Sequence, residues 1–425
     1  MGAGLRAARS RVRGGRDQLK LLDITEFYSP VGGGVRTYLA AKAQWIADQP
    51  GIEHAIAVPC DRNEVTRLHK SRVYHLRGRA VPASPGYHFL TSARALVEVL
   101  ERERPDVIEV GSPFLAPWVT AYATKRLGKG EVRNRKTAAE WETGEGKIAG
   151  KRVRIVGFYH SDLRGYWVKH GLGSAPGWVR GVGGSVLGRY MRAVYGRFDA
   201  TIVATPYARD ELAWAGVRNT HVVPLGADPD VFHPGLRDDG VRGALTVDPD
   251  APVALYVGRL SREKGLDVVL AALPDLNREL GLTLALGGEG HLRSRLEREA
   301  RRHPDRLRVL PYVRERHEMA RVYASTDVFV APCAYETFGL AAVEAMASGL
   351  PVVGADAGGA GDLLRGAGWG RGFRPGDPSD FARAVRDVVA AGTKALGQEA
   401  RRAAIEQFSW ERTFEALFGV YRRLA

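Results

Sequence analysis

The chain has 425 residues, 45% of them hydrophobic and 26% charged, so it is long enough for two globular domains of about 200 residues each. Its net charge of +14, from 62 Lys and Arg against 48 Asp and Glu, favours anionic partners such as nucleic acid, phosphorylated ligands or an acidic membrane surface. The two cysteines, Cys60 and Cys333, are too far apart for a metal-binding motif and too few for a disulfide framework. No apolar run reaches the roughly 18 residues of a membrane span, and no signal sequence or lipidation motif is recognisable, so a cytoplasmic location is expected.

The N-terminal segment predicts a tail, a strand and a glycine turn. Residues 1–18 are rich in Arg, Gly and Ala without an apolar period, which predicts a flexible basic tail. A short buried strand at 19–24 then leads to a glycine triplet at 32–34 and a helical pattern. Glycines before a helix N-terminus let backbone amides contact a phosphate or a sugar, but a tight turn explains them equally well. Their spacing is not that of a dinucleotide-binding fingerprint.

The first half continues as alternating apolar runs and helical patterns, which indicates a parallel sheet with helices on both faces. The polar segment 128–150 interrupts this alternation and predicts a surface insertion. His160 follows the strand predicted at 153–158, at the edge where open α/β sheets bind ligands. It is therefore a candidate for hydrogen-bonding a sugar hydroxyl or for proton transfer, with a structural histidine as the alternative.

Two further segments lie between His160 and the second half of the chain. A helical stretch at 178–198 mixes arginines with Trp, Val and Leu. Such a helix can lie on an anionic membrane, although a surface helix with one buried face is the commoner case. Residues 222–250 are rich in Pro, Gly and Asp and predict a hinge or linker. The sequence thus predicts domains at 19–225 and 226–408, followed by a helix at 409–425.

Two loops of the second half carry candidate ligand contacts. Arg259 and Lys264 follow the strand predicted at 253–257, and two cations there could hold a diphosphate and stabilise a leaving nucleotide, with solvated surface cations as the alternative. Gly288 lies in a Gly-Gly-Glu-Gly turn after the next strand. Its lack of a side chain suits the close approach of a ligand, and equally an ordinary turn.

The most informative segment is 327–361, which is predicted to form a strand, a loop, a helix, a second strand and a Gly-rich turn. With a helix beginning near Thr337, Glu336 lies on the loop before the helix and Glu344 lies about two turns inside it. Two acidic residues in the N-terminal half of a helix also interact favourably with the helix dipole, so a purely structural role is the alternative.

The start of this predicted helix is a candidate anion site. The amides of Phe338, Gly339 and Leu340 would have no intrahelical partner, and the helix dipole favours a negative group there, most simply a phosphate. Gly339 would let the backbone approach a ligand closely. The segment therefore combines a loop carboxylate with free amide donors.

The chain as a whole resembles the family 4 (group 1) retaining glycosyltransferases of the GT-B fold. The resemblance rests on the glycine triplet and on five motifs in order: YHSD at 159–162, PLGAD at 224–228, GRLSREKG at 258–265, GGEG at 287–290 and ETFGLAAVEAMASGLPVV at 336–353. It implies two Rossmann-like domains with doubly wound parallel sheets, facing a central cleft, and a C-terminal helix that crosses back to the N-terminal domain. Within the family, the chain resembles bacterial mannosyl- and glucosyl-transferases.

The resemblance also implies roles for the candidate residues. Arg259 and Lys264 would hold the donor diphosphate, Glu344 the ribose, and Glu336 the donor sugar. The remaining implied contacts are His160 to the donor sugar near the reacting carbon, Gly33 and Gly34 to the phosphate across the cleft, Gly288 in the nucleotide site, and the amides of Phe338, Gly339 and Leu340 to sugar and phosphate.

The implied reaction is a metal-independent transfer of a hexose with retention of configuration and without a cofactor. The donor would be GDP-mannose or a UDP-hexose, and the acceptor a lipid or a saccharide. Peripheral contact with an anionic membrane is a further expectation, whereas nucleic acid is not an expected partner because no motif accompanies the charge. The alternatives are a nucleotide-sugar epimerase of the same fold, a phosphorylase, and a non-catalytic nucleotide-sugar-binding protein.

Overall fold

The computed structural model describes residues 18–28, 33–82, 86–128, 146–148, 151–165, 175–246 and 248–425. The predicted basic tail lies outside these residues except for Gln18, and so does most of the predicted insertion at 128–150. The described residues form two α/β units, each built on its own sheet.

The first unit alternates strands and helices. In chain order its elements are β1 (Leu19–Ile24), α1 (Gly34–Ala47), β2 (Ile52–Cys60), β3 (Glu64–Leu68), β4 (Ser71–Arg77), β5 (Arg79–Ala80), β6 (His88–Phe89), α2 (Ala93–Glu103), β7 (Val107–Val110), α3 (Ala116–Gly128), β8 (Gly146–Ile148), β9 (Lys151–Tyr159), α4 (Gly177–Tyr195), β10 (Ala200–Val203), α5 (Pro206–Trp214) and β11 (Thr220–Val222).

The second unit follows the same alternation and ends in three helices. Its elements are α6 (Asp239–Leu245), β12 (Val253–Val257), α7 (Leu266–Leu280), β13 (Thr283–Gly287), α8 (Arg293–Arg302), β14 (Leu307–Val309), α9 (Arg316–Ala324), β15 (Val328–Ala331), α10 (Leu340–Ala347), β16 (Val352–Ala355), α11 (Gly358–Leu364), β17 (Gly370–Phe373), α12 (Pro378–Ala391), α13 (Thr393–Gln407) and α14 (Trp410–Leu424). Short 3-10 turns lie at Pro234–Leu236 and Arg262–Lys264.

Both sheets are doubly wound. The first has the order β11-β10-β9-β7-β1-β2-β4-β3, with β8 beside β9, and its described strand pairs are parallel except β3 with β4 and β8 with β9. The second has the order β14-β13-β12-β15-β16-β17 and its described pairs are all parallel. The strand order reverses between β1 and β7 and between β12 and β15, and such switch points open a crevice at the carboxyl ends of the strands.

The central strands of both sheets are short runs rich in buried Val, Ile, Leu and Ala, because helices cover both faces of each sheet. Helix α14 leaves the second unit and packs on α1 of the first. The ring of Trp45 on α1 lies 5.7 Å from that of Phe414 and 5.0 Å from that of Phe418. The last helix therefore crosses back to the N-terminal domain, whereas the domain limits at 225 and 408 stay predictions.

Three local predictions were wrong. Helix α10 begins at Leu340 rather than near Thr337, because Gly339 has φ +96°, outside the helical region, so Glu344 lies about one turn inside the helix. The predicted Gly-rich turn at the end of 327–361 is the first turn of α11. The predicted linker contains α6, which is capped by Asp238 and anchored to the second unit by hydrogen bonds of the buried Arg242.

Candidate active site

The centre of the candidate site is an ion pair between two loops of the second unit. Lys264 ends the turn after β12 and Glu336 lies in the loop after β15, and their Nζ and Oε2 atoms are 2.7 Å apart. Because β12 and β15 are neighbours at the switch point, their carboxyl-end loops meet there. The side chains are 22% and 35% exposed, so the pair opens into the cleft.

The ion pair keeps both groups charged. Lys264 and, more weakly, Arg259 lower the pKa of the Glu336 carboxyl, although burial opposes this. Burial lowers the pKa of Lys264, but the opposing charge of Glu336 outweighs it, so the pKa of the ammonium is raised. Arg259 is exposed and has no ion pair with another described residue. The site thus holds two cations and one carboxylate.

Gly288 supports this site through the backbone. It has φ +141°, and a Cβ atom there would lie 1.8 Å from the carbonyl oxygen of Gly258. The amides of Gly258 and Leu260 bond to the carbonyls of Gly287 and Glu289, at 2.9 and 2.8 Å. The glycine is therefore required for the packing of the loop that carries Arg259, and no ligand contact is needed to explain it.

The start of α10 offers free amide donors. The amides of Phe338, Gly339 and Leu340 make no hydrogen bond to another residue within the described parts of the chain. The loop before them rests on α11, where the Gly359 amide donates to the Glu336 carbonyl at 2.6 Å. A Cβ atom on Gly359 would lie 2.6 Å from the Phe338 amide nitrogen, so α11 can lie this close only with glycine at that position.

Glu344 lies apart from Glu336 on the α9 side of α10. Its Oε1 is 3.5 Å from Nη2 of Arg316, and its Oε2 is 3.4 Å from the Tyr323 hydroxyl. Burial raises the pKa of this carboxyl, and Arg316 and Tyr323 oppose the increase. Glu344 is thus a half-buried acceptor with loosely bound partners, which leaves it able to accept hydroxyl donors from a ligand.

His160 lies across the cleft at the end of β9. Its ring stacks on Phe158 with centroids 4.0 Å apart, and it lies 5.6 Å from the ring of Tyr38. Burial, together with the positive charge of Lys42, lowers the pKa of the imidazole to about 3. His160 is therefore neutral at pH 7, which suits a hydrogen bond to a hydroxyl better than proton donation from an imidazolium.

The glycine loop of the first unit faces the loop before α10 of the second. Gly33 caps α1 with φ +123°, and a Cβ atom on Gly34 would lie 3.2 Å from Cδ1 of Leu340 at the start of α10. Gly34 and Leu340 therefore meet across the cleft, and the contact of Gly33 and Gly34 with a phosphate stays a prediction. Gly32 lies outside the described residues.

Several residues at this site have no signal in the sequence. Thr205 and Thr337 bond across the cleft, and Arg316 approaches Glu344 from α9. Each belongs to a residue type that is common on any surface, and only their strand-end or helix positions would have suggested them.

Within the described ranges, no group of three or more His, Cys, Asp and Glu residues is arranged to hold a metal ion. The described helices include none with the length and apolar character of a membrane span.

Two doubly wound domains with facing strand-end loops, joined by a crossing C-terminal helix, define the GT-B class of glycosyltransferases. Known structures agree. The chain matches sucrose-phosphate synthase from Thermosynechococcus elongatus with a TM-score of 0.71 and 21% identity, over 96% of this chain and 99% of that one. It matches the Anabaena protein HepE in complex with UDP and glucose with a TM-score of 0.68 and 17% identity, over 95% and 99% of the two chains.

The chain belongs to the family 4 (group 1) glycosyltransferases. The family models for a glycosyl transferase 4-like domain and for glycosyl transferases group 1 match residues 33–226 and 240–407. A D-inositol 3-phosphate glycosyltransferase of Xylanimonas cellulosilytica is 33% identical over 66% of this chain and 70% of its own. A GDP-mannose-dependent alpha-(1-6)-phosphatidylinositol dimannoside mannosyltransferase of Mycobacterium tuberculosis is 29% identical over 96% and 97%. The protein is a hexosyltransferase.

Proposed function

We propose that this enzyme transfers mannose, or in second place glucose, from a nucleotide diphosphate sugar to a lipid or glycan acceptor. The observation that supports a nucleotide-sugar donor is the Lys264–Glu336 pair, which lies beside the free amides at the start of α10. A diphosphate binds cations and amide donors, and a sugar hydroxyl binds a carboxylate. GDP-mannose is the first donor to test, because two similar proteins are named for their dependence on it. A UDP-hexose is the second.

In the proposed reaction, the bond between the anomeric carbon and the diphosphate breaks and the nucleotide leaves with added negative charge. Lys264, Arg259 and the amides of α10 stabilise that charge, which develops only as the bond breaks. The acceptor hydroxyl attacks from the same face, so configuration is retained, and its proton passes to the leaving phosphate. Because the cations are supplied by side chains, no metal ion takes part.

The other residues orient the donor. Glu344 accepts hydrogen bonds from the ribose hydroxyls, and Glu336 accepts one from the donor sugar once Lys264 turns to the diphosphate. His160, held neutral by burial, bonds to a sugar hydroxyl near the reacting carbon. Gly33 and Gly34 bring the N-terminal domain against the phosphate, which their lack of a side chain permits.

For the acceptor, we propose a glycolipid reached at an anionic membrane surface. Helix α4 exposes Trp178, Val182 and Val186, which are 75%, 59% and 61% exposed and spaced four residues apart on one face. The helix carries arginines and no acidic residue. An apolar stripe with cationic neighbours suits the interface of an anionic bilayer. Sedimentation with phosphatidylglycerol vesicles, but not with phosphatidylcholine vesicles, is the expected result, and a Trp178→Ser, Val182→Ser double variant should lose it.

A second acceptor candidate is D-inositol 3-phosphate, because the relative from Xylanimonas cellulosilytica is named for it and is 33% identical. An acceptor panel separates the two. Phosphatidylinositol mannosides and D-inositol 3-phosphate would be offered to the purified enzyme with radiolabelled donor. Transfer to the lipid alone supports the first acceptor, and transfer to the soluble phosphate alone supports the second.

The donor is tested by thermal unfolding with GDP-mannose, UDP-glucose, UDP-galactose and UDP-N-acetylglucosamine. A ligand present at 100 times its Kd stabilises the native state by about 2.7 kcal/mol and therefore raises Tm. Transfer should persist in EDTA, and NMR of the product should show the anomeric configuration of the donor. The absence of any Tm increase with all four donors would contradict the proposal.

A further inference from the structure

Thr337, which follows Glu336, bonds to the N-terminal domain on two sides. Its hydroxyl donates to the carbonyl oxygen of His160 at 2.9 Å, and its own carbonyl accepts from the hydroxyl of Thr205, also at 2.9 Å. Thr337 and Thr205 are only 8% and 5% exposed. Since β9 and β10 are neighbours, one residue of the loop between β15 and α10 bridges the carboxyl ends of two strands of the opposite domain.

The same loop is fastened to its own domain one peptide earlier. The carbonyl of Glu336 accepts from the amide of Gly359 on α11, at 2.6 Å. Two successive carbonyls, those of Glu336 and Thr337, are therefore held by different domains. Any change in the relative position of the domains acts on the short segment that carries the Glu336 side chain and the Phe338 amide.

We propose that Thr337 is a positioning residue that aligns Glu336 with His160 when the two domains come together. This rests on the proposed function, in which both side chains contact the donor sugar. A donor molecule must enter the cleft between the domains, and the bonds of Thr337 exist only when the domains are in contact. Interactions made in one of two states shift the population toward that state.

A second contact accompanies this closure. The amide of Tyr207, at the start of α5, donates to a carboxylate oxygen of Asp362 on α11. Helix α11 thus touches the N-terminal domain directly and also holds the Glu336 carbonyl through Gly359. Thr337 differs from this contact because its hydroxyl bonds to the backbone of His160 itself, so it sets the distance between the two candidate sugar contacts.

The hydroxyl can be removed with little change of shape. Thr337→Val should lower kcat about tenfold, because the loss of the one hydrogen bond that the Thr337 hydroxyl donates to His160 weakens the reactive arrangement by about 1.4 kcal/mol. The donor Kd should change less than about twofold, since the cations and Glu344 that bind the nucleotide are untouched. Thr337→Ser, which keeps the hydroxyl, should restore kcat. X-ray scattering should give a larger radius of gyration for Thr337→Val than for the wild type.

The matched control is Thr283→Val. The Thr283 hydroxyl donates to the carbonyl of Asp305 at 3.2 Å and is fully buried, but it lies at the opposite end of β13 from the cleft. This variant should lose stability without losing kcat.

An unchanged kcat in Thr337→Val, or an equal loss in Thr283→Val, would overturn the inference. If the wild type transferred no sugar at all, the proposed function would fail, and an identical radius of gyration in Thr337→Val and wild type would separately overturn the role of Thr337.

Discussion

Among the described residues, two lysine–carboxylate pairs of nearly equal length lie in very different settings. Nζ of Lys42 lies 2.8 Å from Asp23 in the core of the N-terminal domain, where the side chains are 0% and 2% exposed. Nζ of Lys264 lies 2.7 Å from Glu336 in the cleft, where they are 22% and 35% exposed. The Nζ–O distance does not distinguish the two pairs, but the residues around each pair do.

The buried pair belongs to a group whose members satisfy one another. Lys42 also lies 3.2 Å from Glu109 and from the Tyr421 hydroxyl, and Tyr421 donates to Glu109. His54 bonds to Asp23 at 2.8 Å. These residues come from α1, β1, β2, β7 and α14, so the group ties the crossing helix to the N-terminal core.

The cleft pair has fewer protein partners. Glu336 is a third exposed, and the amides that follow it are free within the described residues. Arg259 beside it has no ion pair in the described chain. Removal of one partner from a buried charged pair is strongly destabilising, because the other charge stays buried without its counter-charge, whereas a pair with unfilled hydrogen-bonding capacity is available to a ligand. Substitutions should therefore separate stability from activity.

The largest expected effect is on stability. Lys42→Met should lower the free energy of unfolding by about 3–5 kcal/mol, because it leaves buried carboxylates without their counter-charge. Urea denaturation measures this. The control is Lys20→Met, since Lys20 lies 3.5 Å from Glu53 with both side chains more than a third exposed, and such pairs contribute about 0–1 kcal/mol. Equal losses in the two variants would contradict the comparison.

In the cleft, substitutions should lower transfer activity without lowering stability. Lys264→Ala and Arg259→Ala should each lower transfer by about 10²–10³-fold, because each removes a cation from the leaving diphosphate. Their far-UV circular dichroism should match the wild type. Arg278→Ala removes a similar ion pair, 2.7 Å from Asp275 on the exposed face of α7, and should leave transfer unchanged. Near wild-type turnover in Lys264→Ala would show that the Lys264–Glu336 pair is not part of the active site.

The buried group should also give the unfolding free energy a characteristic pH dependence. Burial raises the pKa of Glu109 from 4.5 to about 7, although Lys42 opposes the increase. Between these values the folded protein binds more protons than the unfolded chain, so the contribution of Glu109 to stability is present below about pH 4.5 and is lost as the pH rises through about 7. The unfolding free energy of the wild type should therefore fall relative to that of Glu109→Gln across this range and run parallel above it. Parallel curves throughout would show that Glu109 titrates normally.

The smallest expected effect concerns the second carboxylate of the cleft. Arg316→Gln should raise the donor KM about threefold, because Arg316 opposes the burial that raises the pKa of Glu344. Without the arginine, Glu344 protonates at higher pH, so the KM difference should grow as the pH falls. Arg314→Gln, two residues earlier and exposed, is the control. A KM ratio independent of pH would show that Arg316 acts on the donor by another route.

Much of the fold follows from local sequence. Short apolar runs alternating with helical patterns indicated two parallel-sheet domains, and β12 has the predicted bounds. Helix ends were less predictable, because Gly339 adopts a left-handed conformation that moves the start of α10 to Leu340. The glycines at 358–361 indicated a turn by composition, yet they form a helix that must pack closely under the Glu336 loop.

The family, the two-domain architecture and the residue types at the cleft could be inferred from the amino-acid sequence, because motif spacing and hydrophobic period are local properties of the chain. The pairing of the charges could not, because it depends on the folded chain. Lys42 meets Tyr421 across 379 positions, and Thr337 meets His160 across 177. Such contacts depend on how separate elements pack, and a lysine in an amphipathic helix carries no local sign that it will be buried rather than exposed. For that reason two similar pairs, one structural and one facing a ligand site, could be distinguished only after folding.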